Sequence, residues 1–104
     1  MGKNNLGIKF DKEKLRYDLL PPEILEAAAT IFTFGANKYG ANNWQKLEDF
    51  DNRYYAALER HIQAWRKGEK VDKESGESHL SHALVNVMFL LWNELNNEQY
   101  AINK

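Results

Sequence analysis

The chain contains no cysteine. That excludes disulfides, thiolate zinc centres and a cysteine nucleophile. Long apolar runs are missing too. The longest, Val85 to Trp92, is interrupted by Asn86 and falls well short of the ~18 residues of a membrane span. The first ten residues, MGKNNLGIKF, lack the apolar core of a secretory signal. These absences set the expectation of a cytoplasmic protein with no membrane partner. A strong charge of either sign is also absent. The formal net charge is −1, so no global basic field exists to hold long nucleic acid, and phosphate binding must come from local clusters.

Several chemical signatures are missing as well. GANKYGAN lacks the Lys-Ser/Thr of a P-loop and does not follow a strand. No serine sits in a nucleophile elbow, and no His-Asp dipeptide marks a metal-dependent phosphohydrolase. Two-metal hydrolysis of a phosphoanhydride in an all-helical protein calls for paired carboxylates at i, i+3 or i+4 on two facing helices. Here Glu59 stands alone within the second helical pattern, and Glu77 and Glu94 lie far apart on the last. Glu23 and Glu26 have the spacing, but a helix N-terminus accounts for both.

What remains is one small helical domain. The chain has 104 residues, 43% hydrophobic and 28% charged, the composition of an ordinary folded domain. Residues 1–18 read as an extended arm, with Leu6, Ile8 and Phe10 alternating against Gly7 and Lys9. This arm either packs as a solvated strap or brings Lys9, Lys14 and Arg16 to a phosphate. Proline in the first turn opens a helix from about Pro22 to Lys38, stopped by Gly40. A second helix is expected from about Asn52 to Lys67, capped by Asp51 and ended by Gly68. Tyr54, Leu58, His61 and Trp65 share its mostly apolar face. A third is expected from about Glu77 to Asn96, capped by Ser75 or Ser78. Leu80, Leu84, Val87, Leu91 and Leu95 form its expected core stripe, beside a second stripe of His79, His82, Asn86, Phe89 and Asn93. The fold class is therefore all-α: a small bundle of three main helices with an N-terminal arm, completed by a homodimer or higher homo-oligomer.

All three histidines fall within Tyr54–Asn86. His79 and His82 are three residues apart on one helical face, and His61 on the preceding helix can approach them. With Asp72 they form a candidate set for Zn²⁺ or Mn²⁺. The alternative is that they pack structurally against the loop and Asn86. Arg16, Lys38, Arg53, Arg60 and Arg66 lie near Tyr17, Tyr39, Trp44, Tyr54, Tyr55 and Trp65. Guanidinium groups suit phosphate and aromatic faces suit bases. Trp44 either lids the core or offers a base a stacking platform.

Three ordered blocks then suggest a family. KFDKEKLRYDLLPPEILE, FGANKYGANNW and RYYAALERHIQAWRKGEKVDKESGESHLSHALVN resemble the phage and prophage proteins grouped as the dATP/dGTP diphosphohydrolase N-terminal domain. The blocks cover nearly all of the chain from Lys9 to Leu91. The resemblance implies a nucleotide-binding domain linked to MazG-like pyrophosphohydrolases. It implies cleavage of a purine deoxynucleoside triphosphate to the monophosphate and pyrophosphate, with Mg²⁺ or Mn²⁺ as the metal of an enzyme. The matching site positions are Arg16, Lys38, Tyr39, Trp44, Arg60, His61, Asp72, His79, His82 and Asn86. Arg16, Lys38 and Arg60 are expected to hold phosphate, and Tyr39 or Trp44 the base, with Asn86 as a further ligand contact. His61, Asp72, His79 and His82 are the expected metal or proton-transfer group. If phage-encoded, the protein would work in the host bacterial cytoplasm. A second reading needs no paired acids: a non-catalytic sponge that sequesters a cyclic or NAD-derived nucleotide signal. A third is a structural interaction module.

Overall fold

The computed structural model describes Gly7 and residues 13–97. The expected strand at Leu6–Phe10, Lys9 within it, and most of the expected frayed tail lie outside the described residues. Three α-helices organise the rest: α1 (Pro22–Tyr39), α2 (Phe50–Arg66) and α3 (His79–Asn96). Short 3-10 turns at Tyr17–Leu19 and Asn43–Lys46 complete the order. No strand occurs among the described residues. Only an isolated antiparallel bridge joins Val71 to Ser78. No described helix is long and apolar enough to cross a membrane.

The helix limits follow from local chemistry. Pro22 opens α1, where a missing N–H is harmless. Gly40 closes it, its N–H bonding to Ala36 O at 2.8 Å. α2 starts earlier than expected. Its cap is Asp49, not Asp51, and the Asp49 side chain makes no capping bond to the backbone. Its Oδ1 instead accepts from Asn52 Nδ2 at 3.0 Å. Ser78 caps α3 by accepting from the Leu80 N–H at 3.0 Å.

α3 is the central element. α2 packs along it most extensively and α1 packs on it more sparsely. Ala28 and Ile31 of α1 meet Val85 of α3, with Phe32, Leu84 and Phe89 packed around them. A second, aromatic layer pins the 41–49 connection. Trp44 stacks on Phe89 at 4.5 Å and meets Trp92 edge-on at 4.8 Å. The Tyr54 hydroxyl donates to Trp44 O at 2.8 Å, and burial pushes that phenol's pKa up.

The phase of α3 differs from the sequence expectation. Of the expected core stripe only Leu84 packs against the core; Leu80, Val87, Leu91 and Leu95 are 43–49% exposed, while His79, Ala83, Val85 and Asn86 are buried. The polar-aromatic stripe faces inward because its histidines find partners and Phe89 is covered by Trp44. Val85 is 1% exposed, which places the α1–α3 contact on it. Val85→Ala should lower unfolding stability by about 2 kcal/mol. Urea titration followed by circular dichroism measures this, and an unchanged midpoint would show that α1 does not depend on this contact.

Candidate functional site

The segment between α2 and α3 builds the site. After Arg66 the Gly68 N–H bonds to Trp65 O and the Glu69 N–H to Ala64 O, both at 3.0 Å. Gly68 sits at φ 103°, a region that a Cβ disfavours, and this reversal sends Glu69 back toward the start of α3. The rest of the loop closes on itself. The His79 N–H bonds to Lys70 O at 2.9 Å, the Asp72 N–H to Glu77 O at 2.8 Å and the Gly76 N–H to Asp72 O at 2.7 Å. These bonds carry Asp72 and Ser75 to the histidines.

His79 is 4% exposed, yet both ring nitrogens have partners. Nε2 lies 2.6 Å from Glu69 Oε2, and Nδ1 lies 2.8 Å from His61 Nδ1. A carboxylate only accepts, so His79 Nε2 carries the proton and donates it to Glu69. The neutral tautomer then directs the Nδ1 lone pair at His61. His82 stacks on His61 with centroids 4.5 Å apart and planes at 7°. Its Nε2 lies 2.7 Å from Ser75 Oγ and 3.8 Å from Asp72 Oδ2. Burial lowers the pKa of both His61 and His82, and neighbouring imidazoles lower them further, so both favour the neutral, lone-pair-bearing form. Burial pushes the Asp72 carboxyl up, but hydrogen bonds from Ser75 outweigh it and its pKa falls. Ligand atoms of His61, Asp72 and His79 all lie within 4.8 Å of one another.

His61, Asp72 and His82 line one wall of an open cleft of about 730 Å³. Its other walls include Phe34, Lys38 and Tyr39 of α1, Trp44, and Arg53, Tyr54 and Arg60 of α2. Lys38 forms an ion pair with Glu74 and lies 5.1 Å from the Tyr39 ring centroid. Arg53 and Arg60 form no salt bridge with a described residue. The cleft therefore joins guanidinium charge, aromatic surface and a compact histidine–carboxylate cluster.

The model of the family described as "dATP/dGTP diphosphohydrolase, N-terminal" matches residues 4–102. The chain belongs to this family. A dATP/dGTP diphosphohydrolase of Salmonella phage PMBT28 is 38% identical over 86 residues, which cover 83% of this chain and 29% of the relative. The chain thus spans under a third of that relative's length. No solved structure matches it.

In this family domain the expected site residues divide. Lys38, Tyr39, Trp44, Arg60, His61, Asp72 and His82 line the cleft, and His79 stands behind it against His61. Arg16 does not line it; exposed, it pairs with Asp18 at 2.8 Å. Asn86 is buried within α3, its Nδ2 donating to His82 O at 2.9 Å. Trp44 belongs largely to the aromatic layer, although part of it reaches the cleft. Sequence reasoning missed Glu69 and Ser75 and left Arg53 out of the expected site. A signal for Glu69 existed: it follows the helix-ending Gly68 and stands three residues before Asp72. Nitrogen NMR of the imidazoles in metal-free protein should show His79 as the Nε2–H tautomer. A Nδ1–H tautomer would remove Glu69 as its acceptor.

Proposed function

We propose that this domain binds a purine deoxynucleoside triphosphate in the cleft, as the nucleotide-recognising part of a reaction that releases the monophosphate and pyrophosphate. The observation that carries the reading is the placement of Arg53 and Arg60, without carboxylate partners among the described residues, beside His61 and Asp72 in an open cleft with aromatic walls. Arg60 is the principal phosphate contact, because a guanidinium offers a planar fork of donors to phosphoryl oxygens. Phe34 and Tyr39 offer surface to a base. On this reading His61 and Asp72 would accept the proton of an attacking water. The family and the named phage relative support the purine nucleotide as ligand. The host bacterial cytoplasm, where such nucleotides are made, is the expected place of action.

The sponge reading keeps one specific support: facing pairs of helix carboxylates are absent among the described residues, which suits retention of a nucleotide better than its hydrolysis. Incubation with dATP, dGTP and cyclic nucleotides, with and without Mn²⁺, followed by denaturation and chromatography, separates the two. Monophosphate and pyrophosphate formed on metal addition support hydrolysis, and intact ligand recovered after heating supports retention. Arg60→Ala should weaken dATP binding by about ten-fold or more, the worth of a charge-assisted hydrogen bond. Affinity within two-fold of the parent protein would remove Arg60 from the site.

A second copy of the chain is the proposed partner for α3's outer face. Leu80, Val87, Leu91 and Leu95 run the length of the helix, with Glu94 beside them near its end, and remain 43–49% exposed. The described core holds only Ala28, Ile31, Ala83 and Val85 as buried apolar residues, too little for a self-sufficient bundle. One stripe meeting its own copy across a two-fold axis would bury both. Light scattering after gel filtration should give at least a dimer, and Leu91→Glu should shift it to monomer. A parent chain that stays monomeric at high concentration overturns this assignment.

A further inference from the structure

We propose that His61, Asp72 and His79 form a site for one divalent transition-metal ion of the Mn²⁺, Co²⁺ or Zn²⁺ class, with Glu69 as the positioning residue. The site lies in the cleft assigned above to the nucleotide, and its chemical role rests on that reading.

Three observations on different elements converge. His61 Nδ1 and His79 Nδ1 face each other at 2.8 Å across the α2–α3 contact. Two nitrogens bound to one ion at ~2.1 Å stand roughly 3.0–3.4 Å apart at octahedral and tetrahedral angles, so a shift of a few tenths of an ångström admits an ion between them. Asp72 brings a carboxylate oxygen within 4.8 Å of a ring nitrogen of each histidine. Its loop is held by the Ser75 N–H, which donates to Asp72 Oδ2 at 2.9 Å.

The third observation is the carboxylate behind the buried histidine. Glu69 Oε2 accepts the Nε2 proton of His79 at 2.6 Å, which leaves Nδ1 as a lone-pair donor aimed at His61. A histidine ligand oriented through its far nitrogen by a carboxylate is a recurring arrangement at metal centres. A purely structural histidine pair would need one proton between the two Nδ1 atoms; an ion replaces that proton and uses both lone pairs.

The donor set also selects the ion. Two imidazoles and one carboxylate suit Mn²⁺, Co²⁺ or Zn²⁺ and disfavour Mg²⁺, which prefers all-oxygen coordination. Three protein donors leave positions for water or phosphoryl oxygen. His61 and Asp72 line the same cleft as Arg60. His82, stacked on His61 and held by Ser75, stands beside the set and fixes the plane of the His61 ring.

Cobalt titration of the full chain, with no nucleotide present, tests the site. One Co²⁺ per chain is expected, with visible d–d bands that a large excess of Mg²⁺ does not remove. His61→Gln and Asp72→Asn should each weaken binding at least ten-fold, and Glu69→Gln about ten-fold through the loss of His79 orientation. Circular dichroism and urea midpoints confirm that these variants fold; His61 and Asp72 are only partly buried, so they carry the test if His79→Ala does not fold. No cobalt bands, bands unaffected by both His61→Gln and Asp72→Asn, or displacement by equimolar Mg²⁺ overturns the proposal. dATP binding in EDTA is measured alongside. Nucleotide bound without any metal site sinks this inference alone, whereas metal bound without nucleotide sinks only the reading of the cleft.

Discussion

A buried imidazole has to satisfy both of its ring nitrogens, and His79 does so with groups from two other parts of the chain. Glu69 takes the proton of one nitrogen and His61 faces the other. An unmet buried polar group costs about 1–3 kcal/mol, so His79 would not stay inside if either partner were out of place. This requirement sets the relation of α2 to α3 and the path of the loop between them. Gly68 must reverse the chain for Glu69 to arrive, and the loop bonds around Asp72 must hold for Ser75 to reach His82. The residues with the richest chemistry are thus also those that fasten the second helix to the third.

The same requirement gives α3 two unlike faces. Its inner face carries His79, Ala83, Val85 and Asn86, and its outer face carries Leu80, Val87, Leu91 and Leu95. Hydrophobicity alone ranks the outer face as core. Burying the inner face is favourable only because its polar groups are matched: His79 by Glu69 and His61, His82 by Ser75, Asn86 by the His82 carbonyl. The aromatic layer adds to this. Trp44 covers Phe89, and offset or edge-on ring pairs contribute about 0.5–1.5 kcal/mol beyond their area.

The three helices and the stops at Gly40 and Gly68 were legible because periodicity, proline and glycine act locally. The phase of α3 was not, because choosing between its stripes depends on Glu69, Ser75 and Trp44, which are distant in sequence or lie in loops. His61, His79 and His82 could be placed together from helical spacing. Asp72 was recognisable as an acid preceding α3, whereas Glu69 carried only its position after Gly68, and its pairing with His79 depends on how the loop folds back. Arg16 shows the opposite failure. Its neighbour Tyr17 and the family resemblance suggested phosphate, but an acid two residues on, Asp18, accepts both of its hydrogen bonds. Local sequence offers such a competitor without saying which contact wins.

The charges in the cleft are unequal for a related reason. Lys38 and Glu74 form an exposed ion pair between α1 and the loop, and Glu74 raises the lysine's pKa. An exposed pair of this kind is screened by water, so it holds the loop only weakly. An anion approaching Lys38 must compete with Glu74, and its gain there is the difference between two similar contacts. At Arg53 and Arg60 no such exchange is needed among the described residues, because neither guanidinium pairs with a described carboxylate. Both stand on α2, the helix that also carries His61. On the proposed reading, a phosphate held by Arg60 would therefore lie close to the histidine–carboxylate cluster, because one rigid element carries both.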